Sequence, residues 1–240
     1  MADLIFYDKV VSLNSETHKD LRIKPLTGFA YAANTNSVPL VAVEFGDAGR
    51  EYPITFVKAS DGMFLPVAIL GLRENENLFV DAQGKWDARY LPAFVRRYPF
   101  VPADVGQEEV VICFDENAPC FSREEGDLLF QDGKPTPVME NMLNLMREYQ
   151  TQALRTQEFC KHLQEYDLLV ESNAQAQLPD GTTFRLNGLY SVDEQRLQKL
   201  DKDQVHALFS TGELGLIYAH LLSLGNLQRL MERLGSRVSN

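Results

Sequence analysis

Two adjacent arginines, Arg96 and Arg97, sit in the most aromatic stretch of the 240-residue chain, YLPAFVRRYPF. A planar guanidinium engages an oxyanion through two parallel hydrogen bonds, so the pair is either an anion-binding site or a structural clamp for buried carboxylates. Glu44 and Glu51 flank FGDAGR, each beside an aromatic residue (Phe45 and Tyr52), and are the leading partners for such a clamp. Paired carboxylates can also do acid and base work, but only at a separation that sequence does not fix. Neighbouring residues face apart on a helix or a strand, so one arginine points inward and the other toward solvent or a partner. The single tryptophan, Trp86 in GKWDARY, either packs beside Tyr90 and Phe94 or stands half-exposed to stack on a sugar or a peptide. Arg96, Arg97, Glu44, Glu51 and Trp86 are therefore the candidate binding residues.

Metal and redox chemistry have weaker support. His18-Lys19-Asp20 spells the His-x-Asp half of a facial triad for non-haem iron, with His162, His206 or His220 as the distal ligand. Those three histidines all fall in predicted helices, where the barrel of such an enzyme would need a strand. His18 and Asp20 thus mark only a secondary, iron-dependent reading, and no metal is expected. Cys160 and His162, two apart on a helix, face different ways. The chain has no C-x-x-C, no G-x-S-x-G elbow, no G-x-G-x-x-G and no Walker A sequence, so no cofactor is expected.

Composition narrows the partners. Thirty-four acidic against 23 basic residues give a net charge of −11, which repels nucleic acid and anionic membranes. Three cysteines, Cys113, Cys120 and Cys160, form no disulfide framework and fit a reducing compartment. Asp3 and Asp8 interrupt what would be the apolar part of a signal peptide, and the run LGLIYAHLLSLGNL is too short and polar to span a bilayer. The expected location is cytoplasmic, without membrane insertion.

The elements that must position these residues divide the chain near Gly133. Residues 1–133 read as β-rich, with a hairpin about Asp61-Gly62, a turn at Gln83-Gly84 and a strong strand in EEVVICFDE. Eight carboxylates between Asp104 and Asp127 read as a solvated, negative face. VPLVAVEF fits a strand or a helix. Residues 134–240 are mainly helical. A long amphipathic helix begins at an N-cap Thr136 with Pro137 at its first position, and carries Val138, Met142, Leu145, Tyr149, Phe159, Leu163 and Tyr166 on its apolar stripe. One hairpin turns about Pro179-Asp180-Gly181. Ser191 and Glu194 have capping-box spacing, and a short helix from Asp201 turns Val205 and Leu208 inward. A last helix from Glu213 to Leu234 presents Ile217, Leu221, Leu224, Leu227, Met231 and Leu234 as a seam for a protein partner or a second copy, capped by Gly235. His220 lies on that seam as a hydrogen-bonded core residue, and Arg229, Arg233 and Arg237 suit the negative helix end. The fold class is α+β, with the two parts packed as one compact unit.

The stretches VPLVAVEF, EYPITF, AILGLRENENLFVD with GKW after it, YLPAFVRRYPF, LNGLYSVDEQRLQKL and YAHLLSLGNLQRL occur here in order, and their combination resembles the SapC family of bacterial proteins. The resemblance implies a role near surface-layer biology, or as an accessory or binding subunit in a modification or uptake pathway. It brings no catalytic residues. The leading expectation is a non-enzymatic interaction protein. The alternatives are an iron-dependent enzyme, or a small-molecule or glycan-binding module with Trp86 and the arginines at its mouth.

Overall fold

A computed structural model describes residues 4–103, 111–177 and 183–238. The chain opens with β1 (Val10–Ser12) and β2 (Arg22–Ile23), passes a 3-10 turn at Ala30–Ala32, and forms β3 (Ser37–Pro39). A second 3-10 turn at Ala42–Glu44 runs directly into α1 (Phe45–Ala48), so VPLVAVEF is a strand that becomes a helix. The hairpin β4 (Ile54–Lys58) and β5 (Phe64–Ile69) follows, turning through Gly62 at a positive φ of 87° that glycine adopts without strain. Then come α2 (Ala93–Arg96), β6 (Phe100–Ala103) and β7 (Val111–Asp115), in which Ile112 and Phe114 alternate inward. The short strands β8 (Phe121–Ser122), β9 (Asp127–Leu128), β10 (Phe130–Gln131) and β11 (Lys134–Pro135) lead to α3 (Pro137–Glu165). The remainder is β12 (Leu169–Gln177), β13 (Thr183–Val192), α4 (Glu194–Leu197), α5 (Lys202–Ser210), α6 (Glu213–Ser223) and α7 (Asn226–Val238).

The main antiparallel sheet has the order β12-β13-β4-β5-β3, so strands from the C-terminal half extend a hairpin from the N-terminal half. A smaller sheet, β1-β7-β6, pairs the start of the chain with the segment that follows the arginines. The architecture is α+β: β-rich first, then mainly helical with one antiparallel pair. The turn about Pro179-Asp180-Gly181 lies outside the described residues.

Two apolar cores result, and α3 serves both. Its 29 residues span about 43 Å at 1.5 Å per residue. Met139 and Met146 fill the core with Phe100, Ile112, Phe114 and Leu129, while Phe159, Cys160 and Leu163 enter the core of the main sheet. The stripe expected on this helix is off by one residue at its N-terminal end, since Met139 and Met146 are buried and Val138 is exposed. A single periodic stripe does not describe a helix that changes cores along its length. Thr136 is the N-cap residue, but its hydroxyl donates to the Leu128 carbonyl (2.6 Å) rather than capping the helix.

Other expectations are corrected in the last third of the chain. The N-cap of α4 is Asp193, whose carboxylate accepts from the Gln195 and Arg196 amides; Ser191 belongs to β13. On α5, Leu208 is buried but Val205 is 38% exposed. The expected last helix is broken at Leu224–Gly225 into α6 and α7, and Gly235 lies inside α7 rather than after it. Of its seam, Ile217 and Leu234 are buried and Leu221, Leu224, Leu227 and Met231 are half-buried by the chain itself; Leu230, outside the expected seam, is buried as well. Here the seam's apolar surface is met by the core of the main sheet.

Candidate functional site

Pro92 fixes the start of the one-turn helix α2, and that turn sends its two arginines apart. Arg96 is exposed, whereas Arg97 is buried at 2% exposure. The guanidinium of Arg97 lies over two rings, 4.1 Å from the centre of Phe94 and 4.9 Å from that of Tyr149 on α3. Both contacts are cation–π attractions, strengthened because the group is out of water. Its Nε and Nη2 atoms are buried without a hydrogen-bond partner.

The carboxylates expected to clamp it do other work. Glu44 is buried at the junction of the 3-10 turn and α1, and makes no ion pair with either arginine among the described residues. Its Oε1 accepts from the Ala93 amide (2.7 Å) and the Tyr90 hydroxyl (2.8 Å), and its Oε2 from the Val41 amide (2.9 Å). Glu44 thus ties the arginine segment to the start of α1 through the backbone amide of Ala93. Burial raises its pKa, opposed by these hydrogen bonds and the charge of Arg96. Glu51 faces Arg229 of α7 at 3.7 Å.

The second buried carboxylate near Arg97 is Asp115, at the end of β7. It contradicts a wholly solvated acidic face: Asp115 is buried, while Glu124 and Glu125 in the same stretch are exposed. Asp115 accepts from the Asp8 amide (3.1 Å), the Lys9 amide (3.0 Å), the Asn117 amide (3.2 Å) and, at 3.4 Å, the Tyr98 hydroxyl. Tyr7, beside Arg97, donates to the Phe100 carbonyl at 2.8 Å. Burial raises the pKa of the Tyr7 hydroxyl, and the guanidinium offsets part of that rise.

Trp86 is a core residue at the edge of this region. It is buried, its Nε1–H donates to the Tyr52 hydroxyl (2.9 Å), and its ring stacks on Phe79. The Tyr52 hydroxyl in turn donates to the Tyr90 carbonyl. The structure therefore brings Arg97, Glu44, Tyr90 and Trp86 into neighbouring parts of one core and leaves Glu51 apart from the arginines.

The histidines are engaged elsewhere. His220 is fully buried; its Nε2 accepts from the Val192 amide (3.1 Å), so its Nδ1–H donates to the Ile54 carbonyl (2.9 Å). Desolvation lowers its pKa to about 4. His162 Nδ1 lies 2.9 Å from Glu213 Oε2 at the start of α6. His18 Nδ1 accepts from the Asn14 amide at 3.0 Å. Among the described residues no three His, Cys, Asp or Glu side chains are grouped as metal ligands would be, so His18 and Asp20 are not joined by a distal histidine.

On the surface, a mixed-charge cleft of about 1130 Å³ separates α7 from the turns at residues 73–82. Arg233 and Arg237 close its floor by donating to the Asp87 carboxylate and to the carbonyls of Asn77 and Val80. These α7 arginines thereby anchor loops, a role that helix-end placement did not reveal. A second, shallower groove of about 480 Å³ lies on α5 between Leu200, Val205, His206 and Phe209.

Phe209 is 71% exposed, and on α6 Tyr218 and Leu222 are 47% and 81% exposed. These side chains lie off the seam. Each helix carries an i,i+4 pair, Val205 with Phe209 and Tyr218 with Leu222, and that spacing was the sequence signal for a second apolar face. No single helix among the described residues is long and apolar enough to cross a membrane; α5 with the helices after it passes only as a pair bent by 87°.

No curated protein and no solved structure matches the chain. A family model does: SapC aligns with residues 13–230, which include all five strands of the main sheet, β6 and β7 of the smaller one, the arginine segment and α6. The chain belongs to the SapC family.

Proposed function

We propose that this SapC-family chain is a non-enzymatic accessory protein that works in the cytoplasm by docking a protein partner. The observation that carries the reading is the outward apolar pair on each of α5 and α6, in which Phe209 and Leu222 stand 71% and 81% exposed. Large apolar side chains paired at helical spacing on two adjoining helices gain by being covered. Because the chain carries a net charge of −11, the face that covers them is neutral or basic.

A non-enzymatic role is supported by how the reactive groups are used. Glu44 serves three donors, His220 two backbone groups, His162 the Glu213 carboxylate and Trp86 the Tyr52 hydroxyl. Three free cysteines fit a reducing compartment. On this reading the partner is an enzyme or receptor of a surface-layer, modification or uptake pathway.

The test is native mass spectrometry on tagged protein captured gently from its own host, beside a Phe209→Ser/Leu222→Ser double variant. The wild type should carry a stoichiometric protein partner that the double variant loses while keeping its circular dichroism and Tm. The same partner at the same stoichiometry in both, or a bare monomer from the wild type, would overturn the proposal.

A further inference from the structure

We propose that Arg97 is the receptor for a single carboxylate group carried by a small molecule. The proposal is independent of the docking face on α5 and α6.

Two atoms of the buried Arg97 guanidinium, Nε and Nη2, have no partner. Nε–H and the Nη2–H on the same side of a guanidinium point in parallel, the edge that one oxyanion engages with two hydrogen bonds. In Arg97 these are the two donors that are buried and unsatisfied. A single acceptor oxygen serves such an edge poorly, whereas the two oxygens of a carboxylate match its spacing.

Charge points the same way. A buried cation without a paired anion is costly even after the protein relaxes around it. The rings of Phe94 and Tyr149 recover only part of this cost. Neither ring can accept the two in-plane N–H bonds of the Nε–Nη2 edge as a carboxylate would, so that edge is left for recognition. The nearby carboxylates do not use that edge. Glu44 is committed to Ala93, Tyr90 and Val41, and Asp115 to Asp8, Lys9, Asn117 and Tyr98.

Those same carboxylates restrict the ligand's charge. Glu44 is close enough to act on the Tyr149 hydroxyl, and Asp115 on that of Tyr7. A doubly charged phosphate would meet repulsion from both, and a singly charged carboxylate meets less. The Tyr7 hydroxyl, whose proton goes to the Phe100 carbonyl, turns its oxygen to the guanidinium and is a neutral acceptor there rather than a counter-charge. The ligand class is therefore an organic acid with one carboxylate at the recognised end. Because the donors lie below the surface, binding follows local opening of the chain and is slow.

The experiment uses the full chain incubated overnight with acetate, benzoate, succinate or inorganic phosphate at constant ionic strength, with Tm as the readout. Wild-type protein should gain Tm saturably with at least one carboxylate, and less with phosphate. Arg97→Met should not respond, and Arg97→Lys, which keeps the charge without the fork, should need about tenfold more ligand for the same shift. If Arg97→Met does not fold, the Arg97→Lys comparison decides alone. Equal responses in wild type and variant, a stronger response to phosphate, or no response to any carboxylate at tens of millimolar would overturn the proposal.

Discussion

The ring of Tyr149, midway along α3, covers one face of the Arg97 guanidinium, with 4.9 Å between the charge and the ring centre. Phe94 on the one-turn helix lies 4.1 Å from the same guanidinium, so a cation joins a ring of α2 to a ring of α3. Tyr149→Phe keeps the ring and should change stability by less than about 1 kcal/mol. Tyr149→Ala removes the ring and admits water to a buried charge, and should cost about 3 kcal/mol. Urea denaturation of both variants checks this; equal, small losses would show that the ring does not support Arg97.

Glu44 joins the start of α1 to the start of α2 through three donors on its two oxygens. Glu44→Gln keeps the shape but replaces one acceptor oxygen with a donating NH₂ group. At least one of the Val41, Ala93 and Tyr90 donors then faces another donor, at a cost of about 1–3 kcal/mol. The effect should appear as a lower denaturation midpoint with an unchanged slope.

His220 makes stability depend on pH in a defined direction. Its folded pKa is about 4, below the ordinary 6.5, so the unfolded chain takes up a proton that the folded chain refuses. The stability held by neutral His220 is complete above about pH 6.5, falls as pH drops through the window between 6.5 and 4, and does not change further below it. At 1.36 kcal/mol per unit, the loss across that window is about 3 kcal/mol. Unfolding curves at several pH values, wild type against His220→Asn, should show a steeper decline in the wild type. Parallel declines would contradict the neutral, two-bond role of the imidazole.

The cysteines should separate by burial. Desolvation pushes the Cys160 thiol up to about 12 and the Cys120 thiol up to about 11, and both are buried, while Cys113 is partly exposed on β7. Iodoacetamide applied to the folded protein should label Cys113 first, with Cys120 and Cys160 reacting only as the chain unfolds. Peptide mapping of the alkylated sites reads this directly.

Much of the fold was legible because its signals are local. Pro137 at a helix start, Asp61-Gly62 in a hairpin and the β-branched residues of the strand at Val111–Asp115 each act over a few residues, and each lies where the pattern put it. The family was legible for a related reason, since its stretches are contiguous. The partners of the charged residues were not. Glu44 caps the segment carrying Arg97 through the amide of Ala93, a contact that no residue spacing encodes. The seam of α6 and α7 illustrates a different limit: periodicity shows that Ile217 and Leu234 are to be buried, but not whether the same chain or another one buries them. Phe209 and Leu222 were overshadowed by that seam, although with Val205 and Tyr218 they are large apolar residues of α5 and α6 left outside it.

The central claim, docking through α5 and α6, is tested most directly by hydrogen–deuterium exchange on the free chain and on its complex isolated from the host. The account predicts slower amide exchange on binding in the peptides that cover Lys202–Ser210 and Glu213–Ser223, which carry Phe209 and Leu222. Protection confined to other parts of the chain, with exchange in these two helices unchanged, would contradict it.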